Sequence, residues 1–239
     1  AGLAGGAQAQ KKYDTGASDT EIRIGHIVPY SGPVSAYGTI GKSIAAYFQK
    51  VNDDGGINGR KVNVISLDDG YNPAKTVEAA RRLVEQEEVL LLFAPLGTAQ
   101  NTAIIKYMNA KKVPHLFLAT GATRWGDYKA FPWTMGWQPT YQAEGRIYAE
   151  HILKNKPSAK IGILYQNDVF GKDNLKGFLD GLGDKAKSMV VAQLSYEVPD
   201  ATIDSQIAQL KGAGADVFMD ITTPKFAAQA IRKVAEIGW

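Results

Sequence analysis

The chain has 239 residues, 27 of them basic and 24 acidic, with no cysteine, so it holds one large or two modest domains, each with room for a core. A net charge of +3 is too small for a nucleic-acid footprint, and the missing cysteines exclude thiolate zinc sites, iron–sulfur clusters, disulfides and a cysteine nucleophile. The mean hydropathy of −0.19 describes an ordinary globular chain, and the longest apolar runs, such as Val89–Pro95, are too short to span a bilayer.

The first ten residues are small and uncharged, and Ala7-Gln8-Ala9 matches the A-x-A pattern of a signal-peptidase site before the polar Lys11-Lys12-Tyr13-Asp14. Residues 1–19 are therefore expected outside the fold, as the end of an export signal that places the protein in the periplasm. A flexible Ala/Gly tail is the alternative.

From Glu21 onward, short apolar runs alternate with segments of helical period. Strands are expected at Ile22–Val28, Val62–Leu67, Val89–Phe93 and His115–Leu118, then at Lys160–Tyr165, Met189–Tyr196 and Asp216–Ile221. Helices are expected at Gly38–Asn52, Pro73–Gln86, Ala99–Lys111, Tyr141–Lys154, Lys172–Gly181, Ile203–Lys211 and Lys225–Ile237. Alternation at this spacing means an α/β fold of parallel sheets covered by helices.

One interruption stands out. Residues 119–140, rich in Gly, Pro, Thr and Trp, form a longer connection than a compact domain normally carries. It predicts a crossing between two Rossmann-like lobes, 20–137 and 138–239, with the boundary near Gly136–Pro139. The first lobe then has four strands and the second three, so the second sheet reads as unfinished and the chain as a fragment.

Tests for catalysis fail. After the first strand, Gly32, Gly38 and Gly41 lack dinucleotide-binding spacing. Lys211-Gly212-Ala213-Gly214 reads as a helix end and turn. Gly41-Lys42-Ser43 lacks the earlier P-loop glycine, whose place is taken by Ala36. His26, His115 and His151 have no metal-ligand spacing and are expected in packing or surface roles, while Asp68-Asp69 is expected to be turn chemistry. No cofactor and no enzyme activity are expected.

In open parallel sheets, ligands bind beyond the carboxyl ends of the strands. Those ends carry Pro29–Gly38, then Pro95–Asn101 opening a helix, then Ala119–Thr123. Small hydroxyl and glycine residues at helix starts leave N–H groups free for a carboxylate. Thr98 also suits an N-cap. Tyr37, Trp125 and Phe170 could wall an apolar pocket, and Arg124 is either a second anion contact or a surface residue.

The stretches IRIGHIVPYSGPVSAYG, VNDDGGINGRKVNVISLDDGYNPAKTVEAARRLV, VPHLFLATGATR, KIGILYQNDVFGKDNLKGF and GADVFMDITTPKFAAQAIRKV resemble the type I periplasmic solute-binding proteins. The nearest group is the one serving branched-chain amino acid ABC transporters. The resemblance covers residues 21–239 and implies two lobes joined by a hinge, with ligand in the cleft between them. It implies that Thr98 helps to bind the ligand's α-carboxylate, with Gly97 beside it at the ligand. Gly121, Ala122 and Thr123 would supply further first-lobe contacts, Tyr37 and Phe170 the aromatic walls, and Thr222 or Thr223 a second-lobe contact. It also implies a monomer that delivers a small carboxylate ligand, a branched-chain or related amino acid, to a membrane permease. The acid that pairs with the ligand's ammonium in this family would fall beyond Trp239. An aromatic or other non-amino carboxylate is an alternative ligand, and a ligand-sensing receptor an alternative role.

Overall fold

The computed structural model describes residues 12–239. The A-x-A site lies outside them. Within the described part of the expected tail, Gly16 is buried and its carbonyl accepts the Arg23 N–H at 2.7 Å. The Tyr13 ring lies beneath the Arg60 guanidinium.

The elements in chain order are β1 (Glu21–Val28), α1 (Gly38–Asp53), β2 (Lys61–Asp68), α2 (Pro73–Glu85), β3 (Leu91–Phe93), α3 (Thr98–Lys111), β4 (His115–Leu118), β5 (Thr134–Gly136), α4 (Tyr141–Asn155), β6 (Ile161–Gln166), α5 (Val169–Leu182), α6 (Ala186–Met189), β7 (Val190–Tyr196), α7 (Asp204–Gly212), β8 (Val217–Ile221) and α8 (Pro224–Glu236). Two parallel sheets result, in the orders β2-β1-β3-β4-β5 and β7-β6-β8. Sheet one uses only strands from 20–137 and sheet two only strands from 138–239.

The first sheet has five strands where four were expected. The additional strand is Thr134–Gly136, inside the long connection expected to cross between the lobes, and it pairs with β4 across a register shift between Leu116 and Leu118. Three residues with one glycine carry no alternation of their own, so only this pairing makes them a strand. A short 3₁₀ turn, Thr123–Gly126, occupies the start of the same connection.

Local chemistry sets the helix starts. Asn72 caps α2, its side chain accepting from the N–H groups of Ala74 and Lys75, with Pro73 as first helical residue. Asp168 caps α5 by accepting from the Gly171 N–H, which starts that helix three residues before the expected Lys172. At α3 the N-cap is Gly97 rather than Thr98, with a φ of 103° that favours glycine.

The core follows the two periodicities. Ile27, Leu83, Leu92, Ile104 and Met108 pack between sheet one and α2 and α3. In the second sheet, Ile161 and Ile163 of β6 join Phe178 and Ile221 on one face. Leu164, on the other, joins Tyr196, Ile207, Leu210 and Phe226. Strand alternation thus buries both faces of β6. His26 and His115 are fully buried in the first lobe and His151 is exposed.

Candidate functional site

Both sheets reverse their strand order once. In the first sheet the reversal lies between β1 and β3, and in the second between β6 and β8. Such switch points leave a crevice at the carboxyl ends of the flanking strands. A cavity of about 340 Å³ lies there, lined by residues of both lobes.

Its first-lobe wall is built around the start of α3. A Cβ at Gly97 would press on the Tyr71 ring and the Gln100 side chain, so only glycine lets the chain turn here. The first-turn N–H groups of α3 have no intrahelical acceptors and carry the positive end of the helix dipole. Thr98 Oγ1 and Thr120 Oγ1 are buried and hydrogen-bonded at 2.6 Å. Tyr71 takes a left-handed φ of 62°. Asp69 holds that turn by accepting the Tyr71 N–H at 2.9 Å, while Gln100 Nε2 donates to the Tyr71 carbonyl at 2.8 Å. Burial pushes the Tyr37 and Tyr71 phenols up, so both stay neutral. This wall can hold an anionic group.

The second-lobe wall has the opposite character. Glu144, Asn174 and Asp220 face the cavity. Glu144 Oε1 accepts from the Tyr148 hydroxyl at 2.8 Å and Oε2 from Asn174 Nδ2 at 3.4 Å. Burial pushes the Asp220 carboxyl above the usual carboxylate range, against the pull of the neighbouring Thr222 hydroxyl. The Asp168 carboxyl, which caps α5, is also raised by burial.

Of the residues expected at a ligand, Tyr37, Gly97, Thr98, Phe170, Thr222 and Thr223 line the cavity together. Gly121, Ala122 and Thr123 do not. The Gly121 carbonyl accepts the Tyr141 N–H at 2.6 Å, and a Cβ there would collide with Pro139 and the Tyr141 ring. Ala122 is buried in a cluster with Ile105, Leu118 and Trp125. Thr123 reaches across to the second lobe, donating from N and Oγ1 to Asp173 Oδ2 at 2.8 and 3.0 Å. Gln142 Nε2 donates to the other oxygen of Asp173 at 2.7 Å. The loop after β4 is therefore a lobe-to-lobe contact.

Trp125 packs in the core and not in the cleft. Arg124 lies over the Trp125 and Phe131 rings and donates to Thr102, so its guanidinium stacks outside the cavity. Asp68 and Asp69 serve their turn. Asp68 accepts from the N–H groups of Tyr30, Ser31 and Gly70, and Asp69 from Thr76 Oγ1 and the Tyr71 N–H. Lining residues that sequence reasoning missed include Tyr71, Gln138, Tyr141, Glu144, Asn174 and Asp220. The turn Asp69-Gly70-Tyr71-Asn72 is the signal that could have found Tyr71.

The periplasmic binding protein family matches residues 21–239. The chain belongs to this family. Among its relatives, the Leu/Ile/Val-binding protein homolog 7 of Brucella suis is 24% identical over 230 residues, covering 93% of this chain and 57% of the relative. The Leu/Ile/Val-binding protein homolog 3 of Brucella melitensis is 26% identical over 216 residues, covering 84% of this chain and 54% of the relative. The chain thus spans little more than half the length of these relatives. A fatty acid ABC transporter substrate-binding protein from Thermomonospora curvata superposes with a TM-score of 0.82 at 21% identity, over 95% of this chain and 57% of that one. A solute-binding protein of an ABC transporter from Rhodopseudomonas palustris, solved with 3,4-dihydroxybenzoic acid, superposes at 0.79 with 22% identity, over 91% and 59%. These two likenesses show the fold. Family members of this type I architecture are solute-binding proteins, and the resemblance read from the sequence holds. Among the described residues, no helix is long and apolar enough to cross a membrane and no group of three His, Asp or Glu could hold a metal ion.

Proposed function

We propose that the protein is the extracytoplasmic solute-binding component of an ABC importer. It captures a small carboxylate ligand, a branched-chain or related amino acid, between its lobes and delivers it to a membrane permease. The observation that carries this reading is the two-walled cavity at both switch points, with the N-terminus of α3 and Thr98 on one wall and Phe170, Thr222 and Thr223 on the other. Ligand contacts to both walls favour the state in which the lobes are together, and the permease would read that state.

Thr98→Val tests the anion pole. At a hundredfold its dissociation constant a ligand stabilises by about 2.7 kcal/mol. A tenfold affinity loss at the same concentration cuts this to about 1.4 kcal/mol, read as a smaller thermal shift. Valine also leaves the buried Thr120 hydroxyl unpaired, at a cost of about 1–2 kcal/mol in the unliganded protein. An unchanged ligand-induced shift would remove Thr98 from the site.

Closure makes a second prediction. Asp173→Ala deletes the acceptor for Thr123 and Gln142. At a net ~0.5–1.5 kcal/mol per hydrogen bond, weaker lobe contact should lower ligand affinity by about three- to tenfold. Titration calorimetry checks it, and affinity equal to the parent protein's would show that this contact does not report closure.

Aromatic carboxylates are a second ligand class, favoured by the rings of Tyr37, Tyr71, Tyr141 and Phe170 in the lining. The dihydroxybenzoic acid held by the R. palustris protein is in keeping with it.

A further inference from the structure

Tyr71 holds a backbone conformation that its side chain disfavours. Its φ of 62° lies in the left-handed region, where a bulky residue is a rare occupant and glycine the usual one. The surrounding groups hold it there. Asp69, itself fully buried, accepts the Tyr71 N–H and, through its other oxygen, the Thr76 hydroxyl at 2.7 Å, while Gln100 grips the Tyr71 carbonyl. Strain kept in this way is explained by what the side chain does. The ring lies against Gly97 at the start of α3, in a cluster with Val28, Val34 and Leu96 of the first lobe against which Val198 of the second lobe packs. The phenol also reaches the second lobe, where Gln166 gives it a hydrogen bond and the Asp168 carboxylate is near enough to oppose its ionisation. Gln166 is oriented to donate. Its Oε1 accepts from the Tyr196 hydroxyl at 2.9 Å and one Nε2 hydrogen goes to Asp168 Oδ2 at 2.6 Å, which leaves the other Nε2 hydrogen for Tyr71.

We propose that Tyr71 is a latch between the lobes: presented by the strained turn after β2, its ring and phenol bias the second lobe over the start of α3 before any solute arrives. The proposal rests on the solute-binding reading above and adds a residue that sets how readily the cleft closes. The Asp173 contact belongs to the loop after β4 and the Tyr71 contact to the loop after β2, and in the sheet these two strands flank β1 and β3, the pair at the switch point. Contacts on both sides of the crevice restrain a rocking motion that either alone would permit. Separating the lobes would expose the Tyr71 ring and leave the Gln166 amide to water, so apolar burial and a hydrogen bond favour the joined state together. A solute then meets a cleft already largely assembled, and less of its binding energy goes into closing it.

The test measures lobe separation in the solute-free protein. The chain has no cysteine of its own, so Ser43→Cys on α1 and Ser205→Cys on α7, both exposed, take a pair of nitroxide labels, one on each lobe. Spin–spin distances should show mainly joined lobes in the parent protein. Tyr71→Phe keeps the ring in its cluster and removes only the phenol oxygen, and it should lower the ratio of joined to separated lobes by about three- to tenfold. Tyr71→Ala should open the lobes further, and Tyr71→Phe carries the test should the alanine variant fail to fold. Gln166→Met removes the donor on the other lobe and should act as Tyr71→Phe does, with the double variant adding little, because both delete one contact. Effects that add in full would overturn the pairing of Tyr71 with Gln166. Lobes that stand apart in the parent protein, or distances unchanged in every variant, would overturn the latch and leave the solute-binding reading standing. A parent protein that binds no solute while its lobes respond to Tyr71→Phe would overturn the solute-binding reading alone.

Discussion

Gly177→Ala is expected to destabilise the second lobe by about 2–4 kcal/mol and lower the melting temperature by about 5–15 °C. The reason is the closeness of α4 and α5. A Cβ at Gly177 would overlap the Gln142 backbone, Cα and carbonyl alike, and no rotamer change can move those atoms aside. Gly145 repeats the situation from the other helix, where a Cβ would sit 2.5 Å from the Asn174 carbonyl oxygen and the Phe178 nitrogen. Gly181 would meet Ala149 at 2.7 Å. Alanine is the better helix former by about 1 kcal/mol, so a net loss of stability isolates the clash. Gly212 is the control: its Cβ would meet nothing within 4 Å, and alanine there should be neutral or slightly stabilising. The consequence reaches the cavity, because α4 carries Glu144 while α5 carries Phe170 and Asn174. Helices forced apart would separate Asn174 from Glu144, so ligand binding should fail before the lobe unfolds. A variant as stable as the parent protein would mean that the helices can part without cost.

What the sequence shows of this molecule depends on how local the cause is. β1, β2 and β6 are legible because each is a run of apolar and β-branched residues between turn signals, and Pro73 announces α2. β5 is not legible, since its strand character comes from pairing with β4 beside Phe117, which itself adopts a left-handed φ of 58°. The same division holds for the cavity. Tyr37, Gly97, Thr98, Phe170 and Thr222 sit in or beside strand-end loops, where the parallel-sheet rule directs attention. Glu144 and Asn174 sit inside helices, where a polar residue reads as a solvated face until the partner helix is known. Asp220 is the polar residue of an otherwise apolar strand, and its unpaired oxygen emerges only from the packing around it. Trp125 lies in the core and not at a pocket wall for the opposite reason. Its glycine-rich surroundings suggest an open loop, while Leu118 and Ile105 close over the ring.

Acidification is expected to weaken the fold through His115, by about 2.7 kcal/mol between neutral pH and pH 4.5. Burial holds this imidazole down to a pKa of about 3, far below the ordinary 6.5. Between those values the unfolded chain binds a proton that the native state refuses, so this contribution is complete above pH 6.5 and lost as pH falls towards 3. The native tautomer is set by its partners. Asn101 Nδ2 donates to the carbonyls of Pro95 and Gly97 at 2.9 and 2.7 Å, leaving Oδ1 to accept from His115 Nε2 at 2.7 Å. Nδ1 therefore remains the acceptor, and it faces the Thr134 hydroxyl at 3.5 Å. His26, also lowered by burial, acts in the same direction. The buried carboxyls of Asp69, Asp168 and Asp220 are raised and act against it. The clean measurement is a difference: urea unfolding of the protein and of His115→Gln from pH 7.5 to 4.5. The parent's stability relative to the variant should fall by about 2–3 kcal/mol across that range. A difference independent of pH would show that the native imidazole takes up its proton freely. Because Asn101 connects His115 to the carbonyl of Gly97, acid should loosen the start of α3 along with the core. Ligand affinity would then decline over the same pH range, while in His115→Gln it would lose that part of its pH dependence.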